Sequence, residues 1–131
     1  MTVRGIRGAT VADANEADAI LDATSELLLA ILDSNPDLHP EDVASVTFTV
    51  TEDLDATYPA LAARQLGWMQ VPLICGREIP VPGGLPKCIR VMIHWNTSVP
   101  QDEVRHVYLK DATRLRPDLA VIALNQQEVV R

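Results

Sequence analysis

Cysteine is scarce in this chain: only Cys75 and Cys88 occur. Two cysteines are too few for a zinc site and argue against a disulfide framework, so both are expected as buried thiols. The three histidines are scattered, and none has a partner at metal-ligand spacing. No apolar run approaches the ~20 residues that cross a bilayer. The opening MTVRGIRGAT lacks the apolar stretch of a signal peptide, so the expected location is the cytoplasm. Neither GxSxG, a P-loop, GxGxxG nor HExxH is present, which removes the common signatures of serine hydrolases, NTPases, dinucleotide enzymes and zinc proteases. A Cys75 nucleophile activated by His106 has nothing in the sequence to bring the two together. Positive charge is also in the minority, with 11 Lys and Arg against 18 Asp and Glu and a formal net charge of -7. That balance disfavours nucleic acid and anionic membrane surfaces as partners, because both bind through dense basic patches.

What is present is an ordinary globular composition, 47% hydrophobic and 22% charged, in 131 residues that suit one domain. The acidic surplus sits largely between Asp13 and Asp55, whereas arginines recur from Arg4 through Arg116. Convergence of several arginines would make a local cationic pocket in an acidic molecule. Such a pocket suits a small polycarboxylate better than a polymer.

Hydrophobic spacing gives a strand at Thr2 to Ile6, with Arg7 at its C-terminal end, where α/β proteins often bind ligands. Gly5 and Gly8 flank Arg7 and would let backbone pass close to a ligand or a neighbouring strand. A helix follows from about Glu16 to Ser34, with Ile20, Thr24, Leu27, Leu28 and Ile31 at helical spacing and Asn15 as its cap. His39 to Asp42 reads as a turn entering a short helical segment, with His39 at the surface. Ser45 to Thr51 is a half-buried strand in which Val46, Phe48 and Val50 alternate with a row of Ser and Thr. Thr57 is expected to cap a helix that carries Pro59 in its first turn and is closed by Gly67. Tyr58 and Arg64 could both reach a neighbour from that helix; an ordinary amphipathic helix fits the pattern equally well. Pro100 to Glu103 suggests a helical turn, and Arg105 to Leu109 a last strand with His106 and Tyr108 on one face.

The stretch from Val71 to Trp95 organises the rest. Val71 to Ile74 reads as a short, fully buried strand ending in Cys75, Gly76, Arg77 and Glu78. A Pro/Gly-rich connection follows, and the chain then re-enters the sheet from Cys88 to Asn96. There Ile89, Val91, Ile93 and Trp95 face a core, while Cys88, Arg90, Met92 and His94 face the other way. An arginine in mid-strand requires a carboxylate or a bound anion beside it. Glu78 offers a structural partner; an anionic ligand is the alternative. The element order implies an α/β (α+β) mixed sheet with both long helices on one face. The other face, carrying Arg90 and the Thr row, then lacks a cover, so the chain is expected to oligomerise with ligand sites between subunits.

The chemically able residues are Arg7, Arg90, Arg116, Glu78, Tyr108 and Cys75. This set binds and orients an anion well but transfers protons poorly near neutrality, since arginine stays protonated. It suits a reaction that needs positioning and charge stabilisation without an acid or base.

In ordered motifs from about Val3 to Leu119, the chain resembles the trimeric, AroH-type bacterial chorismate mutases. The motifs are RGIRGAT at Arg4 to Thr10, YPALAARQLGW at Tyr58 to Trp68, VPLICGRE at Val71 to Glu78, GGLPKCIRV at Gly83 to Val91, and PQDEVRHVYL with LRPDL at Pro100 to Leu119. The resemblance implies a domain over residues 1–119 with a loosely held tail at 120–131. It implies a homotrimeric pseudo-barrel with helices outside and active sites between chains. The implied reaction is the cofactor-free Claisen rearrangement of chorismate to prephenate. By the same similarity, Arg7 and Tyr108 would bind carboxylate, Arg90 the ether oxygen and a carboxylate, and Glu78 the ring hydroxyl with Cys75 beside it. Tyr58 and Arg64 would line the site from the helix side and Arg116 from the tail, with Ile74, Gly76, Arg77 and Leu115 completing the lining. Family members often carry lysine where Leu61 stands and Met-Gln where Gly76-Arg77 stands; Arg77 either replaces that lysine's charge or faces solvent. A Rid-type imine deaminase on a similar trimeric scaffold and a non-catalytic trimeric sensor of a small dicarboxylate are the alternative functions.

Overall fold

A ten-residue strand opens the chain, β1 at Thr2–Val11, five residues longer than its alternation suggests. In a computed structural model, which describes residues 1–118, β1 continues past Gly8 because it is paired on both sides. Arg7 therefore lies in mid-strand and not at a strand end. Helix α1 (Ala17–Ser34) follows, then a 3-10 turn at Pro40–Asp42, β2 (Val43–Val50), α2 (Ala60–Gln65), β3 (Leu73–Arg77) and β4 (Cys88–Thr97). A second 3-10 turn at Gln101–Glu103, the two-residue β5 (Val107–Tyr108) and a third 3-10 segment at Lys110–Arg114 complete the described chain. The expected tail at 120–131 lies outside the described residues.

The strands form one mixed sheet in the order β3-β2-β4-β1-β5. β4 is central and antiparallel to both β1 and β2, while β3 runs parallel to β2 and β5 parallel to β1. The β1-α1-β2 and β2-α2-β3 connections are thus helical crossovers between parallel strands. Both helices pack on one face: Leu27, Leu28 and Ile31 of α1 and Ala60 and Ala63 of α2 share a core with Ile6, Val46, Phe48, Val91, Ile93 and Trp95. Gly8 makes that contact possible. A Cβ there would come within 2.8 Å of Ile31 Cδ1 and 3.0 Å of Val91 Cγ1, so a side chain would push α1 off the sheet.

Several local expectations are corrected by longer-range partners. Asn15 does not cap α1, whose N-cap is Glu16 with no side-chain bond. Asn15 instead accepts from the backbone N–H groups of Asp55 and Ala56 at 3.0 and 3.1 Å, pinning the chain after β2. Nor does Thr57 cap α2, whose N-cap is Pro59. The Val71 to Ile74 run is not a buried strand. β3 is an edge strand with one neighbour, displaced toward Arg77, and Ile74 is 65% exposed. The last strand is shorter than expected, because the ring of His106 replaces a ladder carbonyl: its Nδ1 accepts from Arg7 N–H at 2.9 Å.

Opposite the helices, the sheet presents Ser45, Thr47 and Thr49 of β2 beside His94, Met92 and Arg90 of β4 in direct register. The face is open except at one end. There Lys110, in the left-handed region at φ 53, turns the chain back so that Ala112 packs on Ala9 and Tyr108.

Candidate active site

Three strand-borne side chains and one just past a strand end converge on the open face. Arg7 is on β1, Arg90 is opposite Ala9 on β4, and Tyr108 is beside Ala9 on β5. Glu78 directly follows β3, and its N–H donates to Val50 O at 3.0 Å, which continues the β2-β3 ladder by one step. Together with Thr47, Thr49 and Met92 they line a cavity of about 300 Å³. Arg90 Nη1 stands 3.4 Å from Glu78 Oε1, with the two side chains 42% and 23% exposed. That is long for a charge-assisted bond, which normally closes to about 2.7–2.9 Å. The other carboxylate oxygen, Oε2, accepts a short hydrogen bond from the Thr49 hydroxyl.

A second hollow of about 550 Å³ adjoins the first, sharing Glu78 and Arg90 and bounded by the loop residues Ile79, Val81 and Leu85 and by Leu115. The loop that forms it is fixed at its far end by Asp53, whose carboxylate accepts from Lys87 N–H at 2.8 Å and from the Thr51 hydroxyl at 2.5 Å. Burial acts to raise the pKa of Asp53, but these hydrogen bonds outweigh it and hold the carboxyl below its usual value. Thr51 Oγ1 in turn accepts from Cys88 N–H at 2.9 Å, which anchors the start of the strand carrying Arg90.

Other expected residues lie elsewhere in the chain. The Cys75 side chain packs on the helix-side core and not beside Glu78, because odd positions of β3 face the helices. Cys75, Gly76, Arg77 and Tyr58 line a third hollow of about 470 Å³, between β3 and the segment before α2. Arg77 is exposed at its surface yet anchored: its Nη1 donates to Thr51 O and Leu54 O, both at 2.8 Å. Arg64 and Ile74 are exposed and line none of these hollows. Arg116 forks to Asp118 at 2.9 and 3.1 Å. Sequence reasoning passed over Thr47, Thr49 and Met92 as site residues. Alternation put them on the right face, but only the strand register reveals that they surround Arg90.

Two neighbours have shifted titrations. Burial, reinforced by Arg7 and Arg116, lowers the pKa of His106, in keeping with an Nδ1 that accepts a backbone hydrogen bond and so carries no proton. Burial pushes the Cys88 thiol up to about 11, against the opposing pull of Arg90. Among the described residues, no group of three or more His, Cys, Asp and Glu is disposed to hold a metal ion, and no helix is long and apolar enough to cross a membrane. Two guanidinium groups, a phenol and one carboxylate can hold a small molecule by anionic groups on one side and a hydroxyl on the other.

Fold and cavity together define a small α+β protein with a polar pocket suited to an anionic small molecule. Residues 3–119 match the family described as chorismate mutase type I. The chain is 57% identical over 117 residues to a chorismate mutase AroH of Thermus thermophilus, covering 89% of this chain and 96% of the relative. It is 48% identical over 122 residues to the chorismate mutase AroH of Bacillus subtilis, covering 92% and 95%. A solved chorismate mutase from Clostridium thermocellum superposes with a TM-score of 0.82 at 48% identity, over 84% of this chain and 97% of that one. The chain belongs to the type I chorismate mutases, which are isomerases.

Proposed function

We propose that this chain catalyses the Claisen rearrangement of chorismate to prephenate in the cavity between Arg7, Glu78, Arg90 and Tyr108. The observation that carries the assignment is the convergence of those four side chains around about 300 Å³, with Arg90 and Glu78 held apart and not closed into a tight pair. Chorismate presents two carboxylates, an ether oxygen and a ring hydroxyl, and the four side chains supply a complement to each. Arg7 and Tyr108 take carboxylate, Arg90 the ether oxygen with a carboxylate, and Glu78 the hydroxyl. No proton moves in a pericyclic shift, so none of these groups has to act as acid or base. The C–O bond breaks ahead of C–C formation, and negative charge grows on the ether oxygen. A fixed guanidinium there stabilises the transition state more than the ground state, which is the requirement for raising kcat.

The catalytic unit is a homotrimer with its sites between chains, working in the cytoplasm on the route to phenylalanine and tyrosine. The open sheet face and the exposed edge of β3 support this assembly. So does the separation of Tyr58, Cys75 and Arg77 in one hollow from Arg7, Arg90 and Tyr108 in another. Juxtaposing the two hollows from neighbouring subunits brings the expected lining residues onto one substrate. Mixing purified protein with chorismate and following its absorbance loss tests the activity; no turnover above the spontaneous rate overturns it. Sedimentation tests the assembly, and an active monomer overturns that part alone.

A further inference from the structure

We infer that Thr49 is a positioning residue for this reaction, acting through Glu78: its hydroxyl holds the carboxylate away from Arg90 and so keeps both available to substrate. The inference rests on the assignment of chorismate to this cavity. The backbone of Glu78 is fixed by its N–H bond to Val50 O at 3.0 Å, so the carboxylate can swing only about its own side-chain torsions. Within that arc it has two suitors. Thr49 and Arg90 sit directly opposite one another in the β2-β4 register. The Thr49 hydroxyl donates to Oε2, while Arg90 Nη1 reaches only to 3.4 Å from Oε1.

Charge alone would draw the carboxylate onto the guanidinium, since a forked pair closes to about 2.8 Å with two parallel bonds. The observed gap means that the hydroxyl takes one oxygen out of that competition. Two consequences follow for the cavity. Oε1 keeps a lone pair for a hydroxyl donor on the ligand, and the Arg90 guanidinium keeps N–H groups for an anion. A ligand bearing both an anionic group and a hydroxyl then meets two groups already apart and does not have to break an ion pair. The Ser/Thr row of β2, unremarkable as a solvated sheet face, gains a specific role at this one position.

Thr49→Val keeps the shape and β-propensity of the strand but removes the donor. In this variant the Arg90–Glu78 contact should close from 3.4 Å to about 2.8 Å, read from its crystal structure, and kcat/KM should fall roughly 10- to 100-fold, the scale of one hydrogen bond to a charged group. Thr49→Ser, which restores the hydroxyl, should stay within about threefold of the parent. In a Glu78→Gln background the attraction to Arg90 is gone, so Thr49→Val should cost less than about threefold more. Equal factors in both backgrounds, or a carboxylate that stays where it is in Thr49→Val, would overturn the inference and reduce Thr49 to a structural residue. A parent protein without turnover overturns the proposed reaction instead, and the distance in Thr49→Val still decides the role of Thr49.

Discussion

Replacing Arg90 with alanine separates two roles that the strand pattern alone leaves entangled. Were Arg90 half of a buried ion pair, its loss would strand the Glu78 carboxylate and cost about 3–5 kcal/mol of stability. The geometry sets a much lower figure. The contact is 3.4 Å, the Arg90 side chain is 42% exposed, and Glu78 retains the hydroxyl of Thr49. A pair so open to solvent contributes about 0–1 kcal/mol. Catalysis should respond on a different scale. Half a unit of charge developing about 3 Å from the guanidinium, at an effective dielectric near 20, is stabilised by about 3 kcal/mol. The accompanying charge-assisted hydrogen bond adds about 1.5–3 kcal/mol. Together these amount to roughly a 10³- to 10⁴-fold loss of kcat/KM. Arg90→Lys should recover little, because one ammonium cannot fork between an ether oxygen and a carboxylate. Urea denaturation and continuous absorbance assays on the same preparations give both numbers. A stability loss above about 3 kcal/mol with activity within tenfold of the parent would refute the reasoning, since it would make Arg90 structural.

The remaining expectations are simpler. Turnover should be flat from about pH 6.5 to 9, because burial with Arg7 and Arg116 nearby keeps His106 below that window and burial keeps Cys88 above it at about 11. Below that window the unfolded chain binds the proton of His106 before the folded one does, so stability should decline as pH falls from about 6.5; a bell with both limbs inside the window would contradict the kinetic half, and a His106→Gln variant with an unchanged stability slope the other. Mixing inactive Arg90 and Arg64 variants should restore part of the activity if the two residues serve one site from different chains; failure to complement in a mixed trimer counts against sites between subunits. Thr10→Val should be neutral or stabilising by about 1 kcal/mol in urea, because the Thr10 hydroxyl is fully buried with no hydrogen-bond partner.

Period-two and period-3.6 patterns are local, and what depends on them was legible in the sequence. The core faces of β2 and β4 and the apolar stripe of α1 fall where alternation and helical spacing put them. Errors came where one side chain closes a contact with a distant segment. Asn15 abandons α1 for a partner 40 residues on, and His106 accepts from the mid-strand backbone of a residue 99 positions back. Arg77, open from sequence to a role in charge steering, has Nη1 occupied by two carbonyls more than 20 residues away. None of these has a local signature, because Asn, His and Arg serve as surface residues just as readily. Mid-strand Arg90 was different: a cation there calls for a partner whatever the fold, so its position singled it out while leaving Glu78 and an anionic ligand both open.

The choice of that partner is where register becomes chemistry. Sequence names Glu78 and an anionic ligand as rivals for one guanidinium, as though one must exclude the other. The sheet order bears on that rivalry, because β4 lies between β1 and β2, with β3 beyond. Arg90 therefore has Ala9 on one side and Thr49 on the other, neither of which can neutralise it, and Glu78 approaches only from beyond β2. Small residues on both flanks leave room for a ligand where a fully structural arginine would be packed, and the carboxylate is near enough to orient a bound hydroxyl without capping the cation. On the proposed reading, a guanidinium carried by the central strand stands close to where charge would develop, so less reorganisation would remain to be done in the transition state.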